Sequence, residues 1–363
     1  MSRAARARHG FTLIEILVVI AIIGVLMGLG FYGGQRALLT IRQKADIVEI
    51  AKMTESMDAL GKKYGGKYPP CMGGITDAER VGANILDRDD YFDQYLRIRF
   101  PRSVVNYATL VTGMAGNVPM YSYTYQSVNS GSSRCNLNTM DQAEALVFWL
   151  GGFRAPIDKN GYPMSSRKLI GFSSDPANPF KIDIVNGAFE LTSRTPPLFD
   201  FDDGRLFDTD DDGWYEYVSK SSLSASTAMP APYVYFDARL YNSMPTPNSL
   251  LPFNTYPSLK SGKIPASKGT AAQIEAWGVI APYASSAVVQ NSNMRWINPN
   301  TFQILSAGTD GVYGPATLRV ATYPGGQVFS GSQFGQAGSY SATEDDNVSN
   351  FADARMIDGV RAQ

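Results

Sequence analysis

Downstream of residue 9 the chain contains no histidine, because His9 is the single one it has. Ser-His-Asp and Cys-His nucleophile schemes, and zinc held by imidazole, are therefore excluded from everything that follows. Cysteine is nearly as scarce. Cys71 and Cys135 are the only two in 363 residues. They either join in one bridge closing a loop of about 65 residues or stand as two buried thiols, since a sequence does not supply the Cα separation a bridge requires. No glycine-rich phosphate or dinucleotide motif is present, and no repeat of solenoid length. Excess charge of either sign is missing too: 32 Lys and Arg stand against 33 Asp and Glu, so no basic face for nucleic acid is implied. Carboxylates are plentiful, yet nothing fixes two of them at the separation that glycoside hydrolysis needs. The chain reads as a protein that is not an enzyme.

What is present is concentrated at the N-terminus. A basic leader with Arg3, Arg6 and Arg8 ends at Gly10, and a run from Phe11 to Tyr32 follows in which only Thr12 and Glu15 interrupt the apolar character. Leu13 to Phe31 is about 19 residues, which at roughly 1.5 Å per residue nearly spans a hydrocarbon core of about 30 Å. Positive charge on its N-terminal side holds that end in the cytoplasm and sends the remainder outward, into a compartment that permits disulfides. An ordinary secretory signal places its small-residue cleavage site after the apolar stretch. Here the small residue, Gly10, precedes it. A carboxylate such as Glu15 costs about 2.5 to 3.5 kcal/mol at the centre of a bilayer and less near the interface. Either a partner offsets that cost or Glu15 snorkels to the headgroups of a plain anchor.

Gly10-Phe11-Thr12-Leu13-Ile14-Glu15 ahead of such a run resembles the class III signal of type IV pilins and type II secretion pseudopilins. The resemblance implies that prepilin peptidase cuts after Gly10 and N-methylates Phe11, and that the apolar helix stays attached, first as an anchor and later as a filament core. Glu15, fifth from Phe11, would pair with the terminal amine of a neighbouring subunit and set axial register. Cleavage removes three arginines, moving the formal charge from −1 to −4.

From Gln35 to Lys63 the pattern turns amphipathic, with Leu38, Ile41, Ala45, Val48, Met53, Met57 and Leu60 at helical spacings among Arg36, Arg42, Lys44, Asp46, Glu49, Lys52 and Glu55. Gly61 and the Gly65–Pro70 stretch then oppose further helix. Gly24 and Gly28 form a small-xxx-small pair that either permits close helix approach or reflects the frequency of glycine in membrane helices. The expected organisation is a leader at 1–10, a transmembrane helix at 11–34, its extracytoplasmic amphipathic half at 35–63 and a globular head at 64–363. Short apolar clusters at Val118–Tyr125, Tyr233–Phe236 and Phe302–Leu305 read as strands between long loops. Met140–Phe153 reads as a second helix, opened by Thr139 and closed by Gly151-Gly152, with Leu146 to Leu150 in the core. The fold class is α+β and pilin-like: a long N-terminal helix packed on an enlarged antiparallel β-rich head.

Two acidic segments remain. The run ILSAGTDGVYG at 304–314, with EDDNVSNF at 344–351, resembles the C-terminal calcium loop of the major pseudopilin of type II secretion. That resemblance implies side-chain ligands from Asp310 and one or both of Asp345 and Asp346. Carbonyl or hydroxyl oxygens near Ala307, Val348 and Ser349 would complete a shell of six to eight oxygens. About thirty residues, 315–343, are inserted between the halves, and the alternative is a β-turn beside a solvated acidic cluster. The second segment places Asp208, Asp210 and Asp212 in a D-x-D-x-D-G pattern that opens like an EF-hand loop, although position twelve is Ser219 rather than glutamate. It is either a calcium loop or a solvated, self-repelling one.

The reading is a structural subunit of a periplasmic pseudopilus in a type II secretion system, held in the bacterial inner membrane by a single pass with the N-terminus cytoplasmic. Its partners would be prepilin peptidase, copies of itself, other pseudopilins and the inner-membrane secretion platform, with Ca2+ as the only cofactor. Alternatives are a type IV pilin of a surface fibre and a membrane-anchored surface-binding domain that uses a prepilin leader.

Overall fold

The computed structural model describes residues 13–71, 88–103, 140–153, 168–180, 193–209, 214–224, 229–241, 256–257, 276–286, 295–315, 320–324, 340–341 and 343–352, with short strand pairs and single residues elsewhere. The N-terminal helix α1, Leu13–Lys63, is continuous over 51 residues and contains no proline. At about 1.5 Å per residue it is a rod of roughly 76 Å. It ends where expected. Lys62 and Lys63 occupy its last turn, and Gly65 and Gly66 take left-handed φ values of 68° and 78°, with the Gly66 amide returning to the Gly61 carbonyl at 2.9 Å.

Its buried face differs from the predicted one. Asp46, Glu49, Ile50, Met53, Met57 and Leu60 are buried, whereas Leu38, Ile41 and Val48 are exposed by 54%, 62% and 55%. At about 100° per residue, the 38–41–45–48 stripe lies roughly 110° round the helix from the 46–49–53–57–60 stripe. The predicted apolar set merges two faces, and the one against the head carries two acids.

The head centres on a three-stranded antiparallel sheet in which Phe302–Ser306 lies between Val234–Asp237 and Val348–Ser349. Every residue of these strands is buried, as in a sheet covered on both faces. The predicted clusters 233–236 and 302–305 thus pair with one another, Val234 opposite Leu305. Helix α1 packs against the strands 302–306 and 348–349. A wholly buried helix, Gln142–Gly151, packs against the strand 234–237 and against the strand Glu216–Tyr217.

That buried helix contains the expected core residues Leu146 to Leu150, but its cap is Asp141; Thr139 lies outside the described residues. Asp141 Oδ1 accepts from the Ala143 and Glu144 amides at 2.9 and 3.1 Å, and Glu144 Oε2 accepts from the Asp141 amide at 2.7 Å. This reciprocal box satisfies donors that burial would otherwise orphan. Gly152 closes the helix at φ 77°, where any side chain would strike the Gly171 backbone. A helix at Arg88–Arg99, absent from the sequence expectations, adds Tyr95 and Leu96 to the core. Within the inserted 315–343 segment, Val320–Ala321, Val328–Ser330 and Gln333–Phe334 form a separate antiparallel sheet.

Candidate functional site

Gly10 and Phe11 lie outside the described residues. Glu15 stands in the first turn of α1 and is exposed. Around it the rod is apolar, with Leu13, Ile14, Val25 and Phe31 exposed by 83%, 69%, 64% and 71%. Among the described residues no helix is long and apolar enough to cross a membrane.

Where α1 meets the head, a polar knot is buried. Arg205 Nη1 donates to Glu49 Oε2 at 2.8 Å and Arg205 Nη2 to Glu49 Oε1. The Tyr217 hydroxyl donates to Glu49 Oε1 at 3.0 Å, and the Arg205 guanidinium sits 4.1 Å from the centre of the Tyr217 ring. The Tyr233 hydroxyl lies between Glu49 Oε2 at 2.8 Å and Asp46 Oδ1 at 2.9 Å. Asp46 also accepts from the Lys220 amide at 3.0 Å and from the Ser306 hydroxyl at 3.3 Å. The Ser221 hydroxyl stands between Asp46 Oδ2 and the Gly308 carbonyl. Burial pushes the Asp46 carboxyl up, and hydrogen bonds from Ser221 and Tyr233 oppose that shift. Sequence reasoning placed Asp46 and Glu49 on a solvated face. Their spacing of seven and four residues from Met53 is the signal that puts them on the buried one.

The knot leads directly to the acidic turn. Gly308, at φ 69°, brings the chain against Asp346, where a Cβ would clash. Asp346 Oδ2 accepts from the Thr309 amide and hydroxyl, each at 2.6 Å, and from the Asp310 amide at 3.2 Å. Asp310 Oδ1 accepts from the Val312 amide at 2.8 Å. From α1, Gln43 Nε2 donates to the Asp346 carbonyl at 3.4 Å. The inserted segment therefore leaves the two halves together.

Burial first, and then repulsion from Asp346, push the Asp310 carboxyl up to about 7. Asp345 Oδ1 and Asp346 Oδ1 are buried without a hydrogen-bond partner. Those atoms fit a cation, but the rest of the implied shell is only partly built. Ala307 is buried, Val348 and Ser349 pair with Ser306 and Leu305 in the sheet, and the Ser349 hydroxyl accepts from the Phe351 amide at 3.3 Å. Among the described residues no three His, Cys, Asp or Glu side chains form a group that would hold a metal.

Of the second acidic loop, Asp208 is described and partly buried, while Asp210 and Asp212 lie outside the described residues. Cys71 is buried and Cys135 lies outside them as well.

Residues 5–31 match the family model of the prokaryotic N-terminal methylation motif, the prepilin-type cleavage and methylation signal of type IV pilin-like proteins. Neither the curated proteins nor the solved structures yield a match to the chain. The motif implies processing by prepilin peptidase and assembly with other pilin-like subunits.

Proposed function

We propose, from that signal as premise, that this protein is a structural subunit of a periplasmic pseudopilus in a type II secretion system. It is cut after Gly10, N-methylated on Phe11, held in the inner membrane with its N-terminus cytoplasmic, and polymerised through α1. The observation that carries this reading is the union of a methylation motif at 5–31 with a single 51-residue helix whose far half is bolted to the head. A free anchor has no use for such a joint. An axial load on α1 reaches the sheet through Glu49–Arg205 and Asp46, so rod and head move together. Glu15 is the register residue, and no residue of the chain serves as a catalyst.

The pilin-like family likeness is supported by the α+β order of helix first and antiparallel sheets after. The acidic turn favours a secretion pseudopilus over a surface pilus, with Asp310, Asp345 and Asp346 as carboxylate ligands of Ca2+. An ion there would neutralise repelling carboxylates and tie the end of the strand 302–306 to the segment before 348–349. Mass spectrometry of the mature terminus tests processing: methylated Phe11 is expected, and retained Met1 or a cut beyond Tyr32 would end this reading. Deleting the gene should retain exoproteins inside the cell; loss of surface fibres instead would assign the subunit to a type IV pilus.

A pH dependence follows from the turn. The unfolded Asp310 carboxyl titrates near 3.8 and the folded one near 7, so the folded state keeps its proton longer. Its contribution to stability is greatest below pH 4 and is lost as pH rises towards 7. In chelator, the melting temperature should fall across that window, and Asp310→Asn should flatten the fall. At pH 7.5 saturating Ca2+ should restore stability, by about 2.7 kcal/mol at a hundredfold excess over Kd. Identical melting in Ca2+ and in chelator would remove the ion from this turn.

A further inference from the structure

Two hydroxyl groups in the joint between α1 and the head each stand between two acceptors, and their protons are too few if every carboxylate is ionised. The Ser221 hydroxyl lies within hydrogen-bond reach of Asp46 Oδ2 and, at 2.6 Å, of the Gly308 carbonyl, with the Ser219 hydroxyl at 3.3 Å. The Tyr233 hydroxyl lies 2.8 Å from Glu49 Oε2 and 2.9 Å from Asp46 Oδ1. A hydroxyl brings one proton, and a carbonyl brings none. Glu49 is neutralised by Arg205. Asp46, fully buried, forms no ion pair with Arg42 or any other cation among the described residues; the Lys220 ammonium reaches Glu49 instead, at 3.8 Å.

We propose that Asp46 is kept as a carboxylic acid that donates from Oδ2 to Ser221, which passes its own proton to the Gly308 carbonyl, so that one proton ties the rod to the acidic turn. Oδ1 then accepts from the Lys220 amide at 3.0 Å, and Tyr233 donates to Glu49 without bridging two anions. In a buried site, a neutral acid that both donates and accepts costs less than an unpaired anion. Burial pushes the Asp46 carboxyl up, bonds from Ser221 and Tyr233 oppose the shift, and the Glu49 charge adds to it. The opposition from Ser221 lapses once its proton goes to Gly308. Nothing else facing Asp46 holds it ionised: Tyr233 and Tyr313 are neutral phenols pushed far up by burial, and beyond Gly308 stands another acid, Asp346. The unfolded carboxyl titrates near 3.8 and the folded one higher, so the tie is complete below that value and is lost as pH rises through the folded pKa. Past that point Asp46 and Glu49 are two anions on one Tyr233 hydroxyl, and Ser221 can serve Asp46 or Gly308 but not both. The turn then loosens from the rod.

The device needs neither a filament nor a bound ion. Its test uses processed full-length protein in detergent and chelator, isotope-labelled at the aspartate carboxyl carbons and carrying Asp310→Asn, so that the turn's own proton is not read. At pH 6, where an ordinary aspartate is ionised, infrared spectra should show a labelled carboxylic-acid band that disappears in Asp46→Asn and shifts in Ser221→Ala. The asparagine amide can donate to Ser221 and accept from Lys220, so Asp46→Asn should melt no lower than its parent at pH 6. As pH rises, the parent's melting temperature should fall relative to that variant, and hydrogen exchange across 306–310 should quicken in the parent alone. If Asp46→Asn does not fold, Ser221→Ala decides: a shifted band supports the protonated acid and an unshifted one overturns it. An acid band unchanged in both variants, or a folded Asp46→Asn that melts well below its parent at pH 6, would show Asp46 ionised. Parallel melting of the two at every pH would overturn the switch.

Discussion

Replacing Arg205 with alanine is expected to destabilise the protein by about 3–5 kcal/mol, the range for breaking a buried ion pair from one side. The Glu49 carboxylate would remain in the interior, held among the described residues by the Tyr217 and Tyr233 hydroxyls and, at 3.8 Å, by a half-exposed Lys220. The melting midpoint reads the loss, and a urea midpoint shift at constant slope confirms that the change lies in stability. Glu49→Gln should also destabilise, because it strips the buried Arg205 guanidinium of its counter-charge, although the amide oxygen still accepts a hydrogen bond from it. The double variant Glu49→Gln/Arg205→Met should lose less than the two single losses combined, since the groups belong to one network. Equal, additive losses would mean that the knot does not work as a unit. A functional consequence goes with it: a loosened knot frees α1 from the sheet, so assembly should fall even where processing is normal.

The second large effect is at Glu15. Its alanine variant should insert and be cleaved as the parent is, since removing a carboxylate only eases membrane residence. Polymer should nevertheless be lost, with each 1.4 kcal/mol of missing subunit pairing lowering association about tenfold. Immunoblots of sheared or detergent-extracted fibres, set against the level of processed chain, separate assembly from processing. Glu15→Asp, which keeps the charge on a shorter arm, should recover part of the polymer. Normal fibres from Glu15→Ala would leave Glu15 as a snorkelling residue of an ordinary anchor.

The extent of α1 and its stop at Gly61–Pro70 were legible because an unbroken helical pattern ran into paired glycine and proline. The strands at 233–236 and 302–305 were legible as apolar runs. What a pattern hides is the partner. Arg205 meets Glu49 across 156 positions of sequence, and no periodicity announces such a pairing. Asp46 and Glu49 were assigned to solvent on residue type alone, although their spacing from Met53, Met57 and Leu60 placed them inside. Leu38, Ile41 and Val48 were assigned inward on the same ground, yet they lie on the open side of the rod. The helix cap was misassigned between two good capping residues; Glu144, three residues after Asp141, was the deciding mark. The insertion of 315–343 put the shared loop geometry in question, yet Asp346 still meets Thr309, and the described strands 320–321, 328–330 and 333–334 within it pair with one another.

The central claim is that α1 exists to stack against copies of itself. Cysteine introduced at Val19, half-exposed on the apolar rod at 51%, tests it in native envelopes under mild oxidation, in a background carrying Cys135→Ser. The account predicts a ladder of crosslinked dimers and higher oligomers formed by the processed chain, and loss of that ladder when Glu15→Ala is added. Processed chain that stays monomeric under the same oxidation would contradict it.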